Sequence, residues 1–392
     1  MDIIKVLQEE LQIGYKQAEA AVSLIDEGNT IPFIARYRKE ATGSLNDEVL
    51  RNLDERLKYL RNLEEKKEQV ISSIREQEKL TPELEKQILE AMTMVAVEDL
   101  YRPYRPKRRT RAMIAKEKGL EPLADLIWLQ QIKEPVEGLA RAYVSEEKQV
   151  ASEAEAVAGA RDILAERISD QADYRSYIRK ITMDRGMIAS SAKDGEIQSV
   201  YEMYYQYEEL IKRCAGHRIL ALNRGEKEKV LTVKIQAPEE DIIRYLEKQV
   251  ITRNNPFTVP ILQETIRDSY DRLIGPAIER EVRSALTENA EAGAIKVFGK
   301  NLQQLLMQPP IAGQVVLGWD PAFRTGCKLA VVDPTGKVLD TAVIYPTAPQ
   351  NKVEESKRTL KQMIKKYHIS LISVGNGTAS RESERIIVEL LK

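Results

Sequence analysis

From the N-terminus to about residue 185 the apolar positions recur at spacings of three and four, the period of helices with one buried face. The clearest run is Leu50, Leu53, Leu57, Leu60 and Leu63, continued by Val70 and Ile74 against a background of Glu, Lys and Arg. Ser44-Leu45-Asn46-Asp47 in front of it has the form of a capping box, so a long helix is expected to open there. Thr81 followed by Pro82 restarts the chain. A hydroxyl cap and then a proline at the first helical position predict a second helix through Leu84, Ile88, Leu89 and Met92, packed antiparallel to the first. The leucine stripe drifts after Leu63 without sustained heptads, which favours a bundle core over an intermolecular coiled coil.

Between about residues 186 and 240 the texture changes. GMIASSAKDGEIQS is polar and contains glycine, the tyrosine-rich YEMYYQYEELIKRCAGH reads as helical, and RILALN and VLTVKI, separated by RGEKEK, predict a β-hairpin near 218–236. A helical pattern returns from Pro238 to about Gly299, and Pro309 with Pro310 closes it. Strand-like runs follow: VVLGWD, CKLAVVD, a turn at Pro334 to Gly336, and KVLDTAVIY. Next come a helix, KVEESKRTLKQMIKKY, a buried-looking strand, ISLISVG, and a final helix. This β-β-β-α-β-α order, with short turns before the first crossover, is the opening of an RNase H-like fold. A complete domain of that type needs at least one more strand and helix, so an end by truncation is expected at residue 392. The expected architecture is multidomain. It has a mainly α N-terminal region with a small β-hairpin and a truncated C-terminal α/β RNase H-like domain, divided as 1–185, 186–310 and 311–392.

Composition narrows the function. The 392 residues carry 60 Lys+Arg against 61 Asp+Glu, a formal charge of -1, which rules out a uniformly basic nucleic-acid protein. Hydrophobic residues make up 43%, which fits neither disorder nor a fibrous repeat. No apolar run approaches the roughly 20 residues needed to span a bilayer, and the first residues read as an amphipathic helix, so a cytoplasmic protein without membrane contact is expected. With two cysteines, Cys214 and Cys327, and two histidines, His217 and His368, there is no basis for a disulfide framework or a His-rich zinc site. No phosphate-loop, dinucleotide or nucleophile-elbow motif is present, and no cofactor is expected.

Two constellations carry chemistry. Across residues 101 to 118, Arg102, Arg105, Lys107, Arg108, Arg109, Arg111, Lys116 and Lys118 face only Glu117, a local charge of +7. Cations at that density neutralise phosphates, and Tyr101 and Tyr104 could stack on bases. Pro103 and Pro106 are expected to hold the segment extended. The plain alternative is a surface loop whose arginines pair with neighbouring acids. A smaller cluster of Arg36, Tyr37, Arg38 and Lys39 follows IPFIA and reads most simply as a solvated helix end. The second constellation is Asp320 at the end of GWD, where RNase H-like nucleases hold a metal and actin-like ATPases bind phosphate. Two-metal cleavage needs several carboxylates. At the end of ISLISVG the corresponding position is Asn376, a neutral and weaker ligand, which favours a degenerate site over a working one. Glu382, farther on, is expected to complement a helix N-terminus.

Taken in order, IPFIARYRKEATGSL, DLYRPYRPKRRTRA with GLEPLA, ARDILAERI at 160–168, HRILALNRGE, DRLIGPAIEREVR, and GWDPAFRTGCKLAVVD with GNGTASRE make the chain resemble the N-terminal half of the Tex family of bacterial transcription accessory proteins. The resemblance implies a helical N-terminal region with a helix-turn-helix-like element and a YqgF-type RNase H-like domain, and, in the family, helix-hairpin-helix modules and an OB-fold RNA-binding domain that are expected to fall outside these 392 residues. Asp320 matches the first-strand acid of the YqgF pattern, Asn376 departs from its second acid, and Ala322 stands where glycine is expected. The expected role is therefore nucleic-acid binding, RNA or DNA, by a non-catalytic scaffold, with transcription or translation machinery as candidate partners. The alternatives are a metal-dependent nuclease using Asp320, an actin-like ATPase, and a protein-interaction scaffold.

Overall fold

The computed structural model describes residues 1–106, 108–194, 196, 198–309 and 311–391. The chain divides into two compact units, Met1–Lys296 and Val297–Lys392. The first begins with helices α1 (Ile3–Leu11), α2 (Tyr15–Asp26), α3 (Ile31–Tyr37), α4 (Asp47–Glu76), α5 (Pro82–Glu90) and α6 (Met94–Tyr101). The cap of α4 is Asn46, whose Oδ1 accepts from the Val49 amide at 2.8 Å. Ser44 sits two residues earlier with φ at 64°, so it is not the capping residue the sequence pattern pointed to. The α4 stripe serves two successive cores. Leu50, Leu53, Leu57 and Leu60 pack with Leu7, Ala18 and Ile34, whereas Leu63, Val70 and Ile74 pack with Ile88 and Val97. The drift after Leu63 is where the helix passes from one to the other. Lys67 lies in that stripe, 1% exposed, with its amine on Glu64 at 2.8 Å. The same amine donates to the Leu89 carbonyl at 2.8 Å, satisfying the electronegative end of α5.

Thr81 caps α5 as expected, its Oγ1 accepting from the Leu84 amide at 3.2 Å. The Arg75–Glu85 pair and the Lys67–Leu89 bond set α4 and α5 antiparallel. Helix α5 ends at Glu90, and Met92 lies beyond it.

The chain continues through α7 (Arg111–Glu117), α8 (Glu121–Leu129), α9 (Val136–Ala140), α10 (Glu153–Ser169), α11 (Ala172–Arg185), β1 (Met187–Ala192), β2 (Gln206–Leu210), α12 (Gly216–Lys227), β3 (Leu231–Gln236), α13 (Glu239–Val250), α14 (Val259–Asp268) and α15 (Gly275–Leu306). Residues 218–236 are not a hairpin: RILALN belongs to α12, because Ile219, Leu222 and Gly225 fall on one buried helical face. The strand β3 pairs instead with β1, antiparallel from Met187↔Gln236 to Ala192↔Leu231. Strand β1 lies between β2 and β3. The polar-looking stretch is therefore a central strand, and the supposed tyrosine-rich helix contributes its edge partner β2. Ser190 is accommodated inside by donating to the Tyr204 carbonyl at 2.6 Å.

Between α14 and α15 the helix opens into a π-turn over Ser269–Ile274. Pro276, two residues beyond that turn, supplies the reason: without an amide hydrogen, and with its ring crowding the preceding turn, it cannot continue an α-helical ladder.

The second unit contains β4 (Val316–Asp320), β5 (Cys327–Val332), β6 (Val338–Ile344), α16 (Val353–Tyr367), β7 (Leu371–Val374) and α17 (Ser380–Leu391). Strands β4, β5 and β6 form an antiparallel meander, and β7 lies parallel to β4, giving the order β6-β5-β4-β7. This is the expected β-β-β-α-β-α opening of an RNase H-like domain. Gly326 is required where it stands: φ is +77°, and a Cβ there would sit 2.6 Å from the Tyr345 ring. Ala322 is not among the residues with positive φ, so its turn does not demand the glycine expected at that position.

One polar cluster fixes the part of the first unit that matters below. Arg175 of α11 has no exposed surface, and its Nε donates to Asp99 of α6 at 2.8 Å. Its Nη2 donates to Glu281 of α15. Arg179, one turn on, donates to Asp99 at 2.8 Å and to Glu281 at 2.7 Å. Two arginines and two carboxylates thus join three helices. Breaking a buried ion pair strands a charge, which costs about 3 to 5 kcal/mol. Arg175→Met is accordingly expected to destabilise the first unit by that amount in urea unfolding. By contrast, Arg75→Met, in an exposed pair with Glu85, is expected to cost less than about 1 kcal/mol. Leu57→Ala, which empties a site 1% exposed, is expected to cost about 2 to 5 kcal/mol.

Candidate nucleic-acid interface

The basic segment leaves α6 at Tyr101 and enters α7 at Arg111. It does not begin extended. Arg102 has helical φ and ψ of -51° and -43°, and the Tyr101 carbonyl accepts from both the Tyr104 and Arg105 amides, at 2.9 and 3.0 Å. Pro103 lacks an amide hydrogen and fits this turn at no cost in donors, so the prolines shape a turn rather than a straight strand. Thr110 then caps α7, its Oγ1 accepting from Met113 at 3.1 Å.

Its side chains divide into inward and outward groups. The Tyr101 hydroxyl meets Ser73 Oγ at 2.9 Å, and the rings of Tyr101 and Tyr104 pack on the core formed by α4, α5 and α6. Both rings are therefore partly committed to packing. Arg102 turns inward to Asp170, 3.5 Å away. Burial, and then the neighbouring Arg175 charge, hold its guanidinium below the usual arginine range. Arg105 approaches Glu98 at 3.7 Å, while Arg109 pairs with Glu117 at 2.7 Å and Lys116 with Glu121 at 2.7 Å. Lys118 donates to the Gln149 carbonyl at 2.7 Å. Arg108 and Arg111 are exposed and form no ion pair with a described residue. Arg111 does face the Asp162 and Asp268 charges at longer range. Lys107 lies outside the described residues.

Arg36, Arg38 and Lys39 are exposed at and beyond the end of α3. Arg38 lies over the Phe33 ring at 5.3 Å and Arg36 over Tyr37 at 5.9 Å. These are contacts between residues one and five positions apart at the end of α3, and they leave the positive charge facing solvent.

In the second unit the pairing of β4 with β7 runs from Val316↔Leu371 to Trp319↔Val374. The Gly375 amide then donates to the Trp319 carbonyl at 2.8 Å. Asp320 and the loop carrying Asn376 therefore leave the sheet side by side, as an RNase H-like site requires. Asp320, Asn376 and Glu382 are all exposed. Glu382 lies in the first turn of α17, the position expected for it. Among the described residues no group of three or more His, Cys, Asp or Glu is placed to hold a metal ion.

Sequence reasoning did not identify the ionic cluster behind the basic turn. Above it is a cavity of about 690 Å³ lined by Glu98, Asp99, Arg102, Arg105, Arg108 and Glu281. The one local signal was Arg175 and Arg179 at a spacing of four on a single helical face. Their acidic partners lie 76 and 106 residues from Arg175 in the sequence.

Three family models match in order: the Tex-like protein N-terminal domain over residues 1–75, the Tex central region-like domain over 131–298, and the Tex protein YqgF-like domain over 314–392. An uncharacterized protein of Bacillus subtilis, YdcI, is 50% identical across 98% of the chain and 54% of its own length. The transcriptional accessory protein Tex of Neisseria gonorrhoeae is 41% identical across 100% of the chain and 52% of its own length. The human S1 RNA-binding domain-containing protein 1 is 32% identical across 100% of the chain and 40% of its own length. The chain thus spans about half the length, or less, of these relatives. No helix among the described residues is long and apolar enough to cross a membrane. With N-terminal, central and YqgF-like domains in this order, and with relatives sharing that order of sequence from end to end of the chain, it belongs to the Tex family.

Proposed function

We propose that this chain is a nucleic-acid-binding, non-catalytic part of a transcription accessory protein, in which the basic turn between α6 and α7 contacts phosphates. The observation that carries the reading is Arg108 and Arg111, exposed on a turn anchored by a buried ionic cluster and without ion-pair partners among the described residues. A cation that no carboxylate has claimed can neutralise phosphate without first breaking a pair. RNA is favoured over DNA because one relative is named for RNA binding and another for transcription. Arg36, Arg38 and Lys39 form a secondary basic patch in this proposal. The working division remains a helical region to residue 185, a central region to 310 and an RNase H-like module beyond, which serves as a rigid element. Asn376 beside Asp320 supports the absence of nuclease action, because an amide contributes no charge toward a second divalent ion.

The test is fluorescence anisotropy of a labelled single-stranded RNA at several salt concentrations. Each neutralised phosphate adds about 0.7 to the slope of log K against log salt. Arg108→Gln with Arg111→Gln is expected to weaken binding and lower that slope by about 1.4. An unchanged slope would remove the basic turn from the account. Asp320→Ala is expected to leave affinity unaltered. If RNA is cleaved in the presence of Mg²⁺ and Asp320→Ala abolishes the cleavage, the nuclease reading replaces this one.

A further inference from the structure

The cavity behind the basic turn has a chemistry that an ordinary surface cleft lacks. Its floor is Asp99 and Glu281, each matched by Arg175 and Arg179. Of the remaining acids, Glu98 has a close partner in Lys66 at 2.6 Å, and Asp170 meets Arg102 at 3.5 Å. Arg105, 3.7 Å from the already paired Glu98, and Arg108 are surplus positive charge on the cavity wall. Arg175 pairs with the floor acids without itself lining the cavity; it is fully buried, and its Nη1 has no hydrogen-bond partner among the described residues. Such a donor is costly to leave unpaired. Arg102 and Arg175 are also close enough to repel, which adds to the effect of burial on Arg102. An anion entering here would offset the charge of Arg102, Arg105 and Arg108 and engage guanidinium forks suited to phosphate.

Shape selects the kind of anion. The inner side of the cavity carries Asp99 and Glu281, which leaves its arginines along the wall. At about 690 Å³ the cavity exceeds what one phosphate needs and falls in the range of small-ligand pockets. Met94 and the exposed Val95 form an apolar wall beside the arginines.

Resting on the nucleic-acid reading above, we propose that this cavity binds the phosphomonoester of a terminal nucleotide, with Arg102, Arg105 and Arg108 on the phosphate and Met94 and Val95 against the sugar or base. A monoester carries more charge than an internal diester and offers three oxygens to the arginines, so the end of a strand is preferred over its interior.

The test uses the full chain and one RNA sequence in three forms, with a 5′-phosphate, a 3′-phosphate or hydroxyls at both ends, alongside adenosine monophosphate and inorganic phosphate in calorimetry. One phosphorylated form is expected to bind about tenfold tighter than the hydroxyl form, the size of one charge-assisted hydrogen bond. Arg102→Gln, and independently the surface variant Arg108→Gln, are expected to reduce that preference severalfold, while all three forms fall together if only general attraction is lost. Equal affinities for the three RNAs, with no binding of adenosine monophosphate or inorganic phosphate, would overturn the proposal and leave the basic turn intact. Binding of adenosine monophosphate without any RNA affinity would overturn the strand-end proposal and the nucleic-acid reading, while identifying a mononucleotide site. Inorganic phosphate alone, without end preference, would overturn the terminal-nucleotide proposal.

Discussion

Two guanidinium groups can be taken out of water only where carboxylates meet them with good geometry, and the Arg175–Arg179–Asp99–Glu281 cluster meets that condition. It joins α6, α11 and α15, three helices far apart in sequence, at the point where the chain leaves α6 for the basic turn. The position of that turn follows from it. Apolar packing of Val97 and Leu100 holds one face of α6, but packing alone is non-directional. Each arginine bridges Asp99 and Glu281, and these directional contacts fix the rotation of α6 and hence the direction in which Arg102, Arg105 and Arg108 leave it.

This arrangement explains why the local charge excess does not translate into an evenly basic surface. Part of it is spent at home: Arg109 on Glu117 and Lys116 on Glu121. Those pairs hold the segment in one shape and leave a smaller outward set of cations. The two tyrosines make a similar contribution, their rings lying against the core beside α4. The basic turn is therefore a folded element with a defined inner and outer side.

Features set by neighbouring residues were legible in the sequence. The leucine stripe of α4, the Thr81 cap with Pro82 and the meander β4 to β6 are local patterns, and each is found at its expected place. The RNase H-like topology also followed, because short turns leave few ways to connect the strands, and Asp320 and Asn376 came together as that topology requires. The central region was misread for a physical reason. Strand β1 is built from small residues such as Ala189, Ser190 and Ser191, with one β-branched residue, Ile188, so its buried central role leaves little propensity signal. RILALN has apolar residues suited to either period, and tertiary packing of Ile219 and Leu222 decided for a helix. The ionic cluster was invisible because its members pair across long sequence separations, and nothing in a helix's own pattern says which distant acid an arginine will meet.

The cluster anchors α6 and the turn that follows. Hydrogen exchange of Arg175→Met compared with the unsubstituted chain measures this directly, because it reports local opening segment by segment. Loss of protection in residues 94–118 that exceeds the general loss across the rest of the first unit, with the RNase H-like unit unchanged, is the expected result. Unchanged protection over 94–118 would contradict the claim, since α6 and the basic turn would then be held by apolar packing alone.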